Sequence, residues 1–240
     1  MPEAFPVVFA LYPDITQLDF TGPLEVLARL PGAAVELASV TGGELAVGGA
    51  LRFAGLKPLE AVSACALLCV PGGFGTAQAM QDEAYLGHLV RLAAEARYVT
   101  SVCTGSLLLG AAGLLRGRRA ACHWAFRELL SLFGALPDEA RVVRDGNFFT
   151  GSGVTAGIDM ALTVAAEIAG RDFAEGLQLA LEYAPEPPFD AGRPERVSPA
   201  VLHSVRTRLE VQWPQRRAAA AHAAAVLDAR RAQARGAGVS

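Results

Sequence analysis

The feature that most constrains the fold is an alternation of short apolar runs with stretches of helical periodicity. FPVVFALY (5–12), CALLCV (65–70) and YVTSV (98–102) are such runs, and each is followed by a turn and a helical pattern. Strands apolar on both faces are buried on both. They belong to parallel sheets with helices packed over each side. The expected fold is therefore α/β, a flavodoxin-like, doubly wound, mostly parallel sheet.

Along the chain, Leu24 to Leu30 reads as a helix, with Asp19 and Thr21 as caps and Pro23 near its first turn. Ala34 to Val40 reads as a strand, and Glu44 to Phe53 as a peripheral hairpin arm. Glu83 to Arg97 carries a helical period, and an apolar helix, LLLGAAGLL, follows Thr104-Gly105-Ser106. After RRAACHW (118–124), a short helix is expected over Ala125 to Phe133. RVVRDGNFFTG (141–151) reads as a hairpin turning at Asp145-Gly146. A helix over 153–170, capped by Ser152 or Thr155, precedes another over Phe173 to Tyr183. Pro185, Pro187, Pro188 and Pro194 then interrupt regular structure, so the compact domain is expected over 1–190. An Ala/Arg-rich helical extension over 191–240 should lie on its surface or project from it.

With 240 residues and 52% of them apolar, one domain can bury a sizeable core. The net charge of −3 offers no basic field for nucleic acid, although the part from Arg193 onward is basic. The N-terminus lacks the charged region of a signal peptide, and no apolar run reaches the ~20 residues needed to span a bilayer. A cytoplasmic location is the expectation. Cys65 and Cys69, read on one strand face, stand roughly 13 Å apart, beyond the reach of a disulfide. The histidines show no zinc-ligand spacing, so no metal is expected.

Cys103 ends one predicted strand and opens a helix, at the carboxyl edge where open α/β sheets place their sites. Free N–H groups at such a helix start favour a thiolate, and the small residues after it permit a sharp elbow. We read it as functional, not as an inert buried thiol. Pro71-Gly72-Gly73 ends the neighbouring predicted strand; amides of Gly73 and Thr104 are placed to hold developing negative charge. Asp19 follows the first strand and can face the thiol as an acid/base, but local sequence does not choose between it, a plain cap role, and Glu25 as the competing carboxylate. His123 is a candidate base, with an ordinary core role better supported; Cys122 reads as structural, and His88, His203 and His222 as surface residues.

These residues carry a resemblance. LYPDITQLDFTGPLEVL (11–27), CVPGG (69–73), YVTSVCTGSLLLGAAGLL (98–115) and RRAACHWAFREL (118–129) resemble the ThiJ/PfpI superfamily, with its class I glutamine amidotransferase-like fold. Within it, the resemblance is strongest to the isonitrile (isocyanide) hydratases, and it continues through 141–162 and 177–189, leaving out the tail. It implies Cys103 as nucleophile, Asp19 as general acid/base, and Gly73 and Thr104 as backbone donors, with Gly72 and His123 beside them. It also implies no metal or organic cofactor, a homodimer, and a small isonitrile as the partner. The expected reaction adds Cys103 to R–N≡C to give a thioimidate, which water resolves to an N-substituted formamide. Phe20 and Phe74 are expected to hold the R group.

Two other functions compete. A non-catalytic effector-binding domain related to AraC-type regulators would keep the pocket without turnover. However, only some fifty residues follow the domain, against the hundred or so of their helix-turn-helix region. A glyoxal- or redox-responsive protein would use Cys103 differently. Thr104, standing where protease- and amidase-like members carry His, sets the chain apart from those relatives.

Overall fold

The computed structural model describes residues 4–237; residues 1–3 and 238–240, at the two ends of the expected domain boundaries, lie outside the described residues. In chain order the elements are β1 (Phe5–Ala10), α1 (Gln17–Leu27), β2 (Ala33–Ser39), β3 (Gly43–Ala46), β4 (Arg52–Pro58), β5 (Leu67–Val70), α2 (Thr76–Ala79), α3 (Glu83–Glu95), β6 (Tyr98–Val102) and α4 (Gly105–Ala111). Then follow β7 (Arg119–Ala120), β8 (Leu136–Pro137), β9 (Val142–Asp145), β10 (Phe148–Gly151), α5 (Ala156–Ala169), α6 (Arg171–Ala180), α7 (Pro199–Glu210) and α8 (Trp213–Ala237). The main sheet runs β3-β4-β2-β1-β5-β6-β10-β9. Its five inner pairings are parallel, while β3 and β9 close the two edges antiparallel.

The apolar runs do what their composition requires. All of β5 and β6 is buried, as is β1 from Val7 onward, with helices on both faces. The order reverses at β1, with β2 on one side and β5 on the other. A crevice opens at such a reversal, outside the carboxyl ends of the strands. The fold is the expected doubly wound one.

Several local readings are corrected. The first helix begins at Gln17, not Leu24, and Pro23 lies inside it. Cys65 precedes β5, so it shares no strand face with Cys69; all four cysteines are free and buried. The helix after Cys103 stops at Ala111 because Gly113 takes a φ of +79°, so the extended helix through Leu115 does not form. The short helix expected over Ala125 to Phe133 is a 3-10 helix over Arg127–Phe133. In the β9–β10 hairpin Asp145 pairs with Phe148, so the two turn residues are Gly146 and Asn147. That turn is one residue later than expected, and Gly146 adopts the positive φ it demands. Thr155 occupies the start of α5 without capping it; its hydroxyl accepts from Arg141.

Beyond α6 the chain holds only a single 3-10 turn, Pro194–Arg196, before Ser198 caps α7. α8 does not project. Its Ala219, Ala220 and Ala223 are buried against α2, α4 and the 127–133 turn, their small side chains allowing close approach. No helix among the described residues is long and apolar enough to cross a membrane.

Candidate active site

Three loops at the carboxyl edge build the site. The loop after β1 is tied to the loop after β5 by a bridge between Ile15 and Gly73 and by the Thr16 N–H donating to Gly72 O at 2.9 Å. This pairing sets the first turn of α1 over the end of β5. Asp19, in that turn, is fully buried and points inward, and its Oδ2 accepts from the Gly72 N–H at 3.0 Å. The tertiary donor replaces the capping role that local sequence suggests. Glu25, the competing carboxylate, is exposed and paired with Arg29 at 2.6 Å. The structure separates the two.

Cys103 sits between β6 and α4 with φ +59°, a left-handed conformation for a residue with a Cβ. Such a conformation costs about 1–2 kcal/mol and is held by its surroundings. Its N–H donates to Gly151 O at 3.0 Å, which anchors the elbow to β10. Gly105 lets the elbow close on β5: a Cβ there would stand 2.2 Å from Val70 O. Gly72 plays the matching part, since its Cβ would meet Thr104 N at 2.5 Å and Asp19 Oδ2 at 2.9 Å.

The thiol and the carboxyl meet. Burial raises the Asp19 pKa from 3.8 to about 7, against hydrogen bonds from Cys103 and Gly72 that favour the ionised form. Asp19 Oδ1, buried as well, has no hydrogen-bond partner among the described residues. Burial also pushes the Cys103 thiol well above its ordinary range; the neighbouring Asp19 adds to this, and the Thr104 N–H partly offsets it. Desolvation thus opposes the thiolate that a helix start favours. α4 has only seven residues, and its field does not outweigh desolvation. The sulfur remains reachable, because Cys103 lines a cavity of about 130 Å³ with Thr16, Phe74, Phe126 and Val154.

Behind the elbow lies a chain of buried hydroxyls. Thr104 Oγ1 accepts from the Gly73 N–H at 3.0 Å and shares a hydrogen bond with Thr76 Oγ1 at 2.8 Å. Thr76 donates to Gly73 O at 2.7 Å, and the Tyr12 hydroxyl lies 3.1 Å from Thr76 and donates to Pro71 O. The Gly73 amide, expected to face the cavity, is therefore engaged within the protein, as is that of Gly72. Thr104 N–H alone of the three is aimed at the sulfur.

His123 lines the cavity, in surroundings that weaken it as a base. Burial and then Arg216 lower its pKa to about 4, and its Nδ1 accepts from the Ala125 N–H at 3.3 Å. Cys122 is fully buried and its thiol is pushed up to about 12 by that burial, which fits a structural role. Phe20 is core, packed edge-on against Phe9 and Phe53, and does not reach the cavity; Phe74 does, and is 68% exposed. Arg216 of α8, together with Thr76 and Tyr12, was not anticipated. Its guanidinium donates to Gly73 O at 2.7 Å and lines the cavity. Among the described residues no three His, Cys, Asp or Glu side chains cluster as metal ligands would.

A strained cysteine elbow facing a buried carboxyl, at the reversal point of a doubly wound parallel sheet, defines a class of cysteine-centred flavodoxin-like proteins. The chain belongs to the DJ-1/PfpI family, whose sequence profile matches residues 6–167. It is 49% identical over 230 residues to the isonitrile hydratase of Pseudomonas putida, covering 95% of this chain and all of that one. Coverage so broad takes in most of the C-terminal extension, which the motif resemblance had left out. A ThiJ/PfpI family protein from Pseudomonas syringae superposes with a TM-score of 0.87 at 36% identity, over 90% of each chain. The transcriptional regulator CdhR of Pseudomonas aeruginosa is 29% identical over 217 residues, 85% of this chain but 62% of the regulator.

Proposed function

We propose that the protein is an enzyme that hydrates isonitriles to N-substituted formamides, with Cys103 as nucleophile and Asp19 as the proton relay. The observation that carries this reading is the 49% identity to an isonitrile hydratase along the whole of that enzyme. Cys103 at the wall of a small cavity, with the buried Asp19 carboxyl behind it, supports it chemically.

In the proposed course, sulfur bonds to the terminal carbon of R–N≡C while the thiol proton passes through Asp19 to that same carbon, giving the thioimidate R–N=CH–S. A carboxyl with a pKa near 7 is suited to take and return a proton at neutral pH. Water then adds to the carbon; Asp19 accepts its proton and the nitrogen gains one. Collapse of the adduct breaks the C–S bond, the hydroxyl proton returns through Asp19 to sulfur, and R–NH–CHO leaves. The sum is one isonitrile and one water, with no redox change and no cofactor called for. The Thr104 N–H steadies charge on the sulfur in both directions. Phe74 offers an apolar surface to R at the mouth. The homodimeric state implied by the family resemblance and the cytoplasmic location expected from the sequence belong to the same proposal.

The test is an aryl isonitrile assay that follows formamide by chromatography for wild type, Cys103→Ala and Asp19→Asn. Wild type is expected to form formamide and both variants none above background. A wild type that makes no formamide but consumes a glyoxal would overturn the proposal. Ligand binding without any turnover would favour the effector-binding reading that the similarity to CdhR suggests.

A further inference from the structure

Arg216 is an unusual residue for its surroundings. It is 4% exposed, and among the described residues it has no carboxylate partner; its one hydrogen bond goes to the neutral carbonyl of Gly73. The guanidinium stacks 4.2 Å from the centroid of Phe126, which compensates only part of its lost hydration. A buried charge without a counter-charge is costly, and a guanidinium does not escape the cost by losing its proton. The Gly73 carbonyl does not need it either, since Thr76 already donates there.

The groups around the sulfur come from five elements. α1 brings Asp19, the loop after β1 brings Tyr12, the segment after β7 brings Cys122 and His123, α4 brings the Thr104 N–H, and α8 brings Arg216. Tyr12 and Cys122 are held protonated by burial, and His123 is held neutral. Among the described residues of this group, Arg216 is left as the formal positive charge, and it lines the same cavity as Cys103, with Tyr12 and Cys122 also close enough to act on it.

We propose that Arg216 is the counter-ion of the Cys103 thiolate, a positioning residue through which the C-terminal helix stabilises the negative charge that sulfur carries as its bond to carbon forms and breaks. The helix is then part of the working site. The inference rests on Cys103 being the nucleophile, and it is independent of which electrophile Cys103 attacks.

The test uses iodoacetamide on the full chain, with the rate of Cys103 modification read by peptide mass spectrometry from pH 6 to 10. Arg216→Lys keeps the charge, Arg216→Gln keeps a donor for Gly73 O but not the charge, and Arg216→Met keeps neither. At pH 7.5 the Gln and Met variants are expected to react about tenfold slower or more, the effect of a thiol one pH unit harder to ionise. Their profiles shift to higher pH, while Lys stays within about threefold of wild type. If Met fails to fold, Gln decides. Rates for Gln within about twofold of wild type, or Lys as slow as Gln, overturn the proposal. Because no isonitrile is involved, this outcome is separate from that of the hydration assay.

Discussion

Asp19→Asn should make the protein more stable as the pH rises, although it removes the proton relay. Asp19 is fully buried, and its pKa lies near 7 in the folded chain against an ordinary 3.8. Between those values the unfolded chain releases the proton while the folded chain keeps it. Wild-type stability from this group is therefore full below about pH 4 and is lost as the pH rises through 7. A gap of about three pH units at ~1.36 kcal/mol each puts the total near 4 kcal/mol. About 1 kcal/mol of it is already lost at pH 4.5, so roughly 3 kcal/mol remains to be lost by pH 8. Asparagine does not titrate. It also leaves an amide group beside Cys103 without a partner, at a pH-independent cost of about 1–3 kcal/mol. The measurable quantity is the difference in urea-unfolding free energy between Asn and Asp, with reductant present, at pH 4.5 and 8. It should shift in favour of Asn by about 3 kcal/mol between them. A difference that stays constant within about 1 kcal/mol, or moves towards Asp, would mean that the carboxylate is ionised and well partnered, and the reasoning about its burial would fail.

Gly72→Ala should cost about 1–3 kcal/mol by overpacking and, by pushing Asp19 and the Thr104 N–H away from Cys103, about a hundredfold in kcat. Gly87→Ala, where a Cβ meets nothing within 4 Å, is the control expected to leave activity unchanged. Phe74→Ala should raise KM with less than about 0.5 kcal/mol of effect on stability, as befits its exposure. Phe20→Ala should cost about 3–5 kcal/mol through a core cavity and leave the KM of the folded fraction alone; steady-state kinetics beside denaturation curves separate the two phenylalanines.

The parts of the site that are legible in the sequence are those written locally. YVTSV followed by Cys-Thr-Gly marks a strand end and a tight turn within a few residues, and Pro-Gly-Gly after β5 does the same. The position of Asp19 was legible only as an alternative to Glu25, because a cap and an inward carboxylate look identical until the Gly72 N–H is brought to it by the pairing of Ile15 with Gly73. Thr16, not Asp19, stands at the start of α1, so reading Asp19 and Thr21 as caps moved the helix start by two turns. The desolvation that opposes the thiolate is illegible for a related reason, because local sequence shows the helix start but not the burial. Arg216 had no signal at all. It lies 143 residues from the carbonyl it binds, inside a run of alanines and arginines that reads as a solvated helix. Only the small faces of Ala219, Ala220 and Ala223 bring that helix onto the core and its arginine into the site.

The central claim is that the Cys103 sulfur bonds to the isonitrile carbon during turnover. Acid quenching of the enzyme while it turns over an aryl isonitrile, followed by intact and peptide mass spectrometry, reads this directly. The account predicts a Cys103 peptide heavier by the full mass of one isonitrile, with nothing lost, that disappears when substrate is exhausted. Formamide accumulating while Cys103 stays unmodified at every quench time, with Cys103→Ala still active, would contradict it.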